Sequence, residues 1–377
     1  MIYFDNAATG GRKPDAVLTA VSSAVKVCAN PGRSGHKLSL SCATQVENCR
    51  NALNALFDGY GFDRVAFTKN CTEALNIALL GTLCKGDHVI VSCMEHNSVL
   101  RPLEYLRKKG LITYDVCPLR DTGANAALFP EDIRTLLRPN TRLVAVTSAS
   151  NVTGYAPNLT AIRKILPKNV LFLCDGAQGV GHLPLKMKEI GIDLLTIAGH
   201  KGMFGIQGSG ALLFSERIDP APLTFGGTGS MSISLDMPDF YPDALEAGTL
   251  AFPAILSLLE GARYLTLHQQ EITEKLLYFT DIFIQKLSDL NAYSVYSAPN
   301  PCGIVSFCHR TLQSETIAEQ LSSKYAIAVR GGLHCAPLMH EALGTLDGGL
   351  VRVSFSHFNS ETEIDRLILA LTELDNM

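Results

Sequence analysis

Four polar positions in this 377-residue chain follow short apolar runs and could together do chemistry: His96, Asn151, Asp175 with Gln178, and His200-Lys201. Singly, each is ordinary. A His behind a strand is more often a local hydrogen-bonding group, an Asp at a strand–helix turn is most often a helix cap, and a lone Lys is usually a solvated surface group. Gly199-His200-Lys201-Gly202 is harder to dismiss, because a Lys between glycines sits where a backbone must come close to something. As a set, they supply an amine that can form an imine with an aldehyde and a carboxylate that can keep a ring nitrogen protonated. The stretch Asn70-Cys71-Thr72-Glu73 reads as a helix start, a natural phosphate cradle. His96 adds a flat ring. These are the needs of pyridoxal 5′-phosphate, with Lys201, Asp175, the 70–73 helix start and His96 filling them in turn.

Other chemistries lose their support. No Lys directly follows a Gly, so there is no phosphate loop of the G-x-x-x-x-G-K type. Gly227 and Gly229 are followed by Ser232 where a dinucleotide fingerprint needs a third Gly, and His340-Glu341 is followed by Gly344 where a zinc protease needs His. No G-x-S-x-G elbow exists. The 11 cysteines are scattered without a C-x-x-C pair, which argues against a disulfide framework and a metal site and for a reducing, cytoplasmic setting. A formal charge of −4 speaks against a general nucleic-acid binder. No secretory leader and no run long enough to span a membrane is visible.

The elements that must position these residues alternate. Val65–Thr68, His88–Ser92, Leu143–Thr147, Val170–Cys174, Leu194–Ala198 and Ala211–Phe214 read as buried strands, with helical stretches between them such as Ser41–Phe57. This is the pattern of an α/β fold with a mostly parallel sheet flanked by helices, and the four polar positions fall at strand ends, where such sheets bind ligands. After about residue 255 the character changes. Ile255–Leu290 reads as one long helix. Strands Gly303–Cys308, Ile327–Arg330 and Leu350–Ser356 follow, with a helix over Ser314–Tyr325 and a last one started by the capping box Ser360-x-x-Glu363. The division expected is a large domain over residues 15–255 and a smaller C-terminal α+β domain over 256–377, joined by the segment 1–14. Phe225–Pro242 is the longest irregular stretch, either a surface loop or a subunit contact or active-site edge.

Tyr3-Phe4-Asp5-Asn6-Ala7-Ala8-Thr9, Cys71-Thr72-Glu73, Glu95-His96-Asn97, Ser150-Asn151-Val152-Thr153-Gly154, Asp175-Gly176-Ala177-Gln178, Gly199-His200-Lys201 and Glu246-Ala247-Gly248-Thr249 succeed one another in this chain. That ordered set resembles the cysteine desulfurases, in the class V aminotransferase branch of fold type I pyridoxal phosphate enzymes, from residue 2 to about residue 358. The resemblance implies Lys201 as the Schiff-base lysine, Asp175 as partner of the pyridine nitrogen and Gln178 as donor to the phenolic oxygen. His96 becomes the stacking, proton-moving ring. Thr72, His200 and the backbone at Cys71 become the phosphate cradle. Asn151 and Arg352, with Ala8 beside them, become the substrate-carboxylate site; a guanidinium suits that task because it grips a carboxylate with two parallel bonds. Thr249 is implied to reach the phosphate of a neighbouring subunit, and hence a homodimer with shared active sites.

The branch also holds transaminases, so a catalytic cysteine decides the activity. Cys335 lies in Arg330-Gly-Gly-Leu-His-Cys-Ala-Pro337, a Gly-rich loop after a strand, with Arg330 and His334 as expected cationic neighbours favouring a thiolate. Arg-x-Gly-x-His-Cys-Ala resembles the subgroup with a short catalytic loop. The implied reaction converts L-cysteine to L-alanine and leaves the sulfur as a persulfide on Cys335, for an acceptor protein or small thiol to remove. Rival readings are a selenocysteine lyase, a thiol-independent aminotransferase or lyase of the branch, and a non-catalytic cofactor-binding scaffold. Two positions depart from the pattern. Ala198 stands where many relatives have Ser, removing one phosphate hydroxyl, and Leu333 stands where a polar residue is common.

Overall fold

Near-continuous apolar runs can be buried on both faces, and that decides the sheet. The computed structural model describes residues 1–27 and 29–375; Cys28 and the end of the expected second domain, 376–377, lie outside the described residues. The strands are β1 (Ile2–Tyr3), β2 (Val65–Thr68), β3 (Asp87–Ser92), β4 (Ile112–Cys117), β5 (Thr141–Thr147), β6 (Leu171–Asp175), β7 (Leu194–Ala198), β8 (Gly210–Phe214), β9 (Tyr293–Val295), β10 (Ile304–His309), β11 (Ile327–Ala328) and β12 (Val351–Ser354). Seven of them form one sheet in the order β2-β8-β7-β6-β5-β3-β4, parallel except for β8, which runs against both neighbours. The central strands β6 and β7 are buried along their whole length, so helices must cover both faces.

The helices fit that demand. Lys37–Leu56 buries Val46, Cys49 and Leu53 along one stripe and packs on the long helix Phe252–Ser288. Cys71–Leu80 and Asn97–Lys108 follow β2 and β3 and pack on each other. Their N-termini therefore lie at the carboxyl ends of those strands. Beyond the long helix, β12-β10-β9 make an antiparallel sheet backed by Ser314–Tyr325, with Glu361–Asp375 packed on that helix and on the long one. The capping box forms: Glu363 Oε2 accepts from Ser360 N at 3.1 Å, and Ser360 Oγ from Glu363 N at 3.4 Å. The chain start ties in here, β1 pairing with β11 and Gly10 N–H donating to His200 O at 2.8 Å.

Three expectations need adjusting. Strand β4 escaped detection because it is an edge strand, paired only with β3, with Thr113 exposed and Tyr114 and Asp115 half-buried rather than a clean apolar run. The expected strand Ile327–Arg330 stops at Ala328, and Arg330 joins the sheet only through an isolated bridge to Arg352. The helix expected from Ser41 begins at Lys37, capped by the His36 ring, a cap that composition does not advertise. Phe225–Pro242 contains neither helix nor strand.

Candidate active site

The carboxyl ends of β3, β5, β6 and β7 open onto a cavity of about 220 Å³. Its wall brings together Ala8, Cys71, Thr72, His96, Asn151, Asp175, Gln178, His200, Lys201 and Arg352, residues scattered over 345 positions of sequence. Every site residue expected from sequence lies here except Thr249 and Cys335. Thr249 is exposed and lines a separate recess with Lys69 and Glu73. Cys335 stands at the rim, in an open groove that shares Thr72, His96 and Ser98 with the cavity.

Lys201 sits three residues beyond β7, its backbone N–H donating to Ala198 O at 3.2 Å. Burial, then the Arg352 charge, lowers the pKa of its amine, which favours the nucleophilic neutral form. The flanking glycines have a structural reason. A Cβ on Gly199 would collide with the Ser209 side chain, and one on Gly202 with the carbonyl of Val180. What comes close to this loop is the protein itself. Asp175 ends β6 and is 2% exposed. Its Oδ1 accepts from Ala177 N–H at 2.9 Å, and Cys71 Sγ lies 3.4 Å away. Gln178 Nε2 donates to Ala7 O at 3.0 Å, tying the N-terminal segment to the wall.

The Cys71 and Thr72 backbone N–H groups belong to the first turn of helix Cys71–Leu80, so they have no partner within the helix. Asn70 caps that helix by accepting from Glu73 N–H at 2.9 Å. His200 Nδ1 lies 3.0 Å from Thr9 Oγ1, and burial lowers its pKa to about 4, so the ring is neutral. His96 caps helix Asn97–Lys108, its Nδ1 accepting from Ser98 N–H at 3.0 Å. A nitrogen that accepts there cannot carry the proton, so the neutral ring holds its hydrogen on Nε2. Burial keeps His96 below its ordinary pKa.

Arg352 is 1% exposed. Nη1 donates to Asn151 O at 3.0 Å and Nη2 to Asp5 Oδ1 at 2.9 Å, while Nε is buried without a partner. A guanidinium has five N–H groups, and the two used here leave three for an arriving carboxylate. Asn151 does double service. It lines the cavity, and its Nδ2 donates to His334 O at 2.7 Å, clamping the loop that carries Cys335.

That loop is a tight turn. Ala336 N–H donates to Leu333 O at 3.0 Å, and the two central residues, His334 and Cys335, have φ of 51° and 58°. Side chains rarely adopt this left-handed backbone, and it persists only where surrounding contacts hold it. Asn97 N–H supplies one such contact, to Cys335 O at 2.8 Å. Arg330 Nη2 lies 3.8 Å from Cys335 Sγ, as its neighbourhood in sequence suggested. His334 does not act as a cation. It is buried, its pKa is pushed down to about 2 by desolvation and then by Arg352, and its ring stacks on His340 with Nδ1 3.4 Å from His340 Nε2. It is a neutral strut beneath the cysteine. Leu333 is exposed on the turn.

Two buried groups were given no role in the sequence reading, although Glu95 and Glu246 belong to its motifs. Arg50 grips Glu246 with bonds of 2.8 and 2.6 Å under the Phe67 ring, and Glu246 Oε1 also accepts from Phe67 N–H at 2.6 Å. This anchors the Glu246–Thr249 stretch, and breaking such a buried pair costs about 3–5 kcal/mol. Glu95 is the other. Its Oε1 accepts from Ser92 Oγ at 2.5 Å and Thr147 N–H at 2.8 Å, while Oε2 is buried without a partner. Desolvation raises its pKa to about 8. The unfolded chain therefore loses this proton near pH 4.5 while the fold keeps it to about pH 8, so rising pH across that window destabilises the fold. Glu95→Gln preserves both acceptor bonds and removes the penalty. Its stability advantage over the unsubstituted chain in urea unfolding should grow by a few kcal/mol across the window, at about 1.4 kcal/mol per pKa unit. A constant difference would mean that Glu95 is ionised in the fold.

Comparison with known proteins gives a consistent picture. The family profile "Aminotransferase class-V" matches residues 2–367. A probable cysteine desulfurase of Methanothermobacter thermautotrophicus is 31% identical, covering 100% of this chain and 95% of that protein. One from Aeropyrum pernix is 32% identical over 99% of this chain and 94% of its own. An apo structure of a cysteine desulfurase from Thermococcus onnurineus NA1 superposes with a TM-score of 0.89 at 28% identity, covering 99% of this chain and 94% of that one.

Proposed function

Since the chain belongs to the class-V aminotransferase family, we infer that it is a cysteine desulfurase, an enzyme that takes sulfur from L-cysteine and releases L-alanine. One observation carries this reading over a thiol-independent aminotransferase. Cys335 is held at the rim of the cavity, on a wall shared with His96 and Thr72, with Arg330 against its sulfur. An aminotransferase has no use for a thiol braced there.

The residues fit pyridoxal 5′-phosphate. The cavity combines a buried amine of lowered pKa, a buried carboxylate, an imidazole and two helix N-termini, and the orphaned Arg352 Nε awaits an anion. Lys201 would bind the cofactor, Asp175 would face its ring nitrogen and Gln178 its phenolic oxygen. His96 would lie on its ring, and Thr72, His200 and the Cys71 N–H would hold its phosphate. Once bound, the group supplies an aldehyde for amines and a ring that accepts an electron pair from Cα.

The chain's own residues do the rest. Arg352 and Asn151, beside Ala8, hold the substrate carboxylate. Lys201 removes the Cα proton. The Cys335 thiolate attacks the substrate sulfur, the carbon–sulfur bond breaks toward carbon, and a persulfide remains on Cys335. His96, which lines the groove beside Cys335, would move protons for that event. The open groove beside Cys335 gives an acceptor protein or a small thiol access to the sulfur.

A homodimer accords with this scheme. Phe225, Ile233 and Leu235 stand almost fully exposed on the irregular 225–242 stretch, apolar surface that a second copy would cover, and Thr249 lies outside its own chain's cavity, free to serve the phosphate site of the other protomer. Among the described residues no helix is long and apolar enough to cross a membrane, and no group of three or more His, Cys, Asp or Glu could hold a metal. The test is direct. The purified chain, supplied with pyridoxal phosphate, L-cysteine and a reductant, should release alanine and sulfide in equal amounts. Amino transfer to a keto acid without sulfide would overturn the reading.

A further inference from the structure

Where the resemblance to cysteine desulfurases would place a serine hydroxyl on the phosphate, this chain has the methyl of Ala198, which lines the cavity. A second hydroxyl lines the same cavity. It belongs to Ser98, in the first turn of helix Asn97–Lys108, and the Ser98 Oγ lies 2.8 Å from Thr72 Oγ1. We propose that Ser98 is a phosphate ligand of the cofactor site and replaces the hydroxyl missing at position 198; the proposal rests on the pyridoxal phosphate reading above.

The hydrogen-bond arithmetic favours it. Ser98 Oγ is 2.9 Å from His96 Nδ1, but that nitrogen has one lone pair and Ser98 N–H already points at it at 3.0 Å. The hydroxyl's other partner is Thr72 Oγ1 at 2.8 Å, a neutral hydroxyl that can equally be the donor. A phosphate oxygen offers it a better acceptor, since bonds to ionised acceptors are shorter and about twice as strong. Thr72 and Ser98 also stand on two different helices, of 10 and 12 residues, whose N-termini converge on the cavity. An anion gripped by both hydroxyls would sit at two positive helix ends at once. Residue 98 would thus move the hydroxyl from the last residue of β7 to the helix after β3 without moving the phosphate.

The measurement is the affinity of the apo chain for pyridoxal phosphate and for pyridoxal, each titrated by visible absorbance and protein fluorescence. Ser98→Ala should weaken pyridoxal phosphate about tenfold, the size of one charge-assisted bond, and leave pyridoxal unchanged. Ser98→Thr should keep the wild-type ratio, and Ala198→Ser in the Ser98→Ala background should restore it. An unchanged ratio in Ser98→Ala would overturn the proposal. So would an equal loss for both compounds, because Ser98 would then be acting through the His96 ring. If the unsubstituted chain bound neither compound, the cofactor reading itself would fail.

Discussion

Lys201→Ala is expected to release no measurable alanine from L-cysteine and to show none of the visible absorbance of lysine-bound pyridoxal phosphate. The fall should be at least about 10⁴-fold, because one side chain both anchors the cofactor and moves the Cα proton, and a positioned acid–base group alone contributes about 10²–10⁴-fold. The local structure makes a bystander role hard to defend. Burial and the Arg352 charge lower the amine's pKa, a cost that a solvated surface lysine would avoid. The backbone is fixed on both sides, Lys201 N–H to Ala198 O at 3.2 Å and Phe204 N–H to Lys201 O at 3.0 Å, so the loop survives truncation of the side chain. Lys201→Arg separates charge from nucleophilicity. It keeps a cation against Asp175 but should be as inactive as the alanine variant. Alanine release within tenfold of wild type in either variant would remove Lys201 from the chemistry.

Much of this site was legible in the order of residues, and the reason is topological. In a parallel sheet every strand ends on the same side, so polar residues placed just after successive apolar runs converge whatever lies between them. His96, Asp175 and Lys201 are such residues. The strands β2 and β7 were readable to the residue because continuous burial demands continuous apolar sequence. What escaped reading depends on contacts that span the chain. The edge strand β4 shows a face to solvent and loses its apolar signature. The Arg50–Glu246 pair joins residues 196 positions apart, and no local pattern distinguishes a buried arginine from a solvated one. His334 looked like a cation beside Cys335, whereas its burial against His340 and Arg352 makes it a neutral support.

Cys335→Ser is expected to keep the visible absorbance of the bound cofactor and to lose more than about 99% of alanine release from L-cysteine, with no sulfur bound to the protein after a single turnover. The substitution is nearly isosteric, and none of the contacts that hold the turn uses the sulfur. Asn151 Nδ2 holds His334 O, Asn97 N–H holds Cys335 O, Ala336 N–H holds Leu333 O, and the His334 ring rests on His340. The left-handed φ values at His334 and Cys335 therefore persist in the variant, and loss of activity reports the thiol rather than a collapsed loop. No other described cysteine is placed to substitute for it. Cys42, Cys49, Cys93, Cys117, Cys174 and Cys302 are buried, Cys308 is half-buried in β10, and Cys71, although it lines the cavity, has its thiol pKa raised well above the ordinary value by burial and then by Asp175. Cys84 is exposed but precedes β3, at the end of the sheet opposite the cavity, so Cys84→Ser should retain full activity and labelling. Truncation of the side chain that touches the sulfur gives an independent check: Arg330→Ala leaves the thiol in place but removes the guanidinium 3.8 Å from it, and should slow sulfur transfer without abolishing cofactor binding. If Cys335→Ser turned over L-cysteine at the wild-type rate, the braced turn would have no catalytic purpose, and the chain would belong with the thiol-independent aminotransferases of its family.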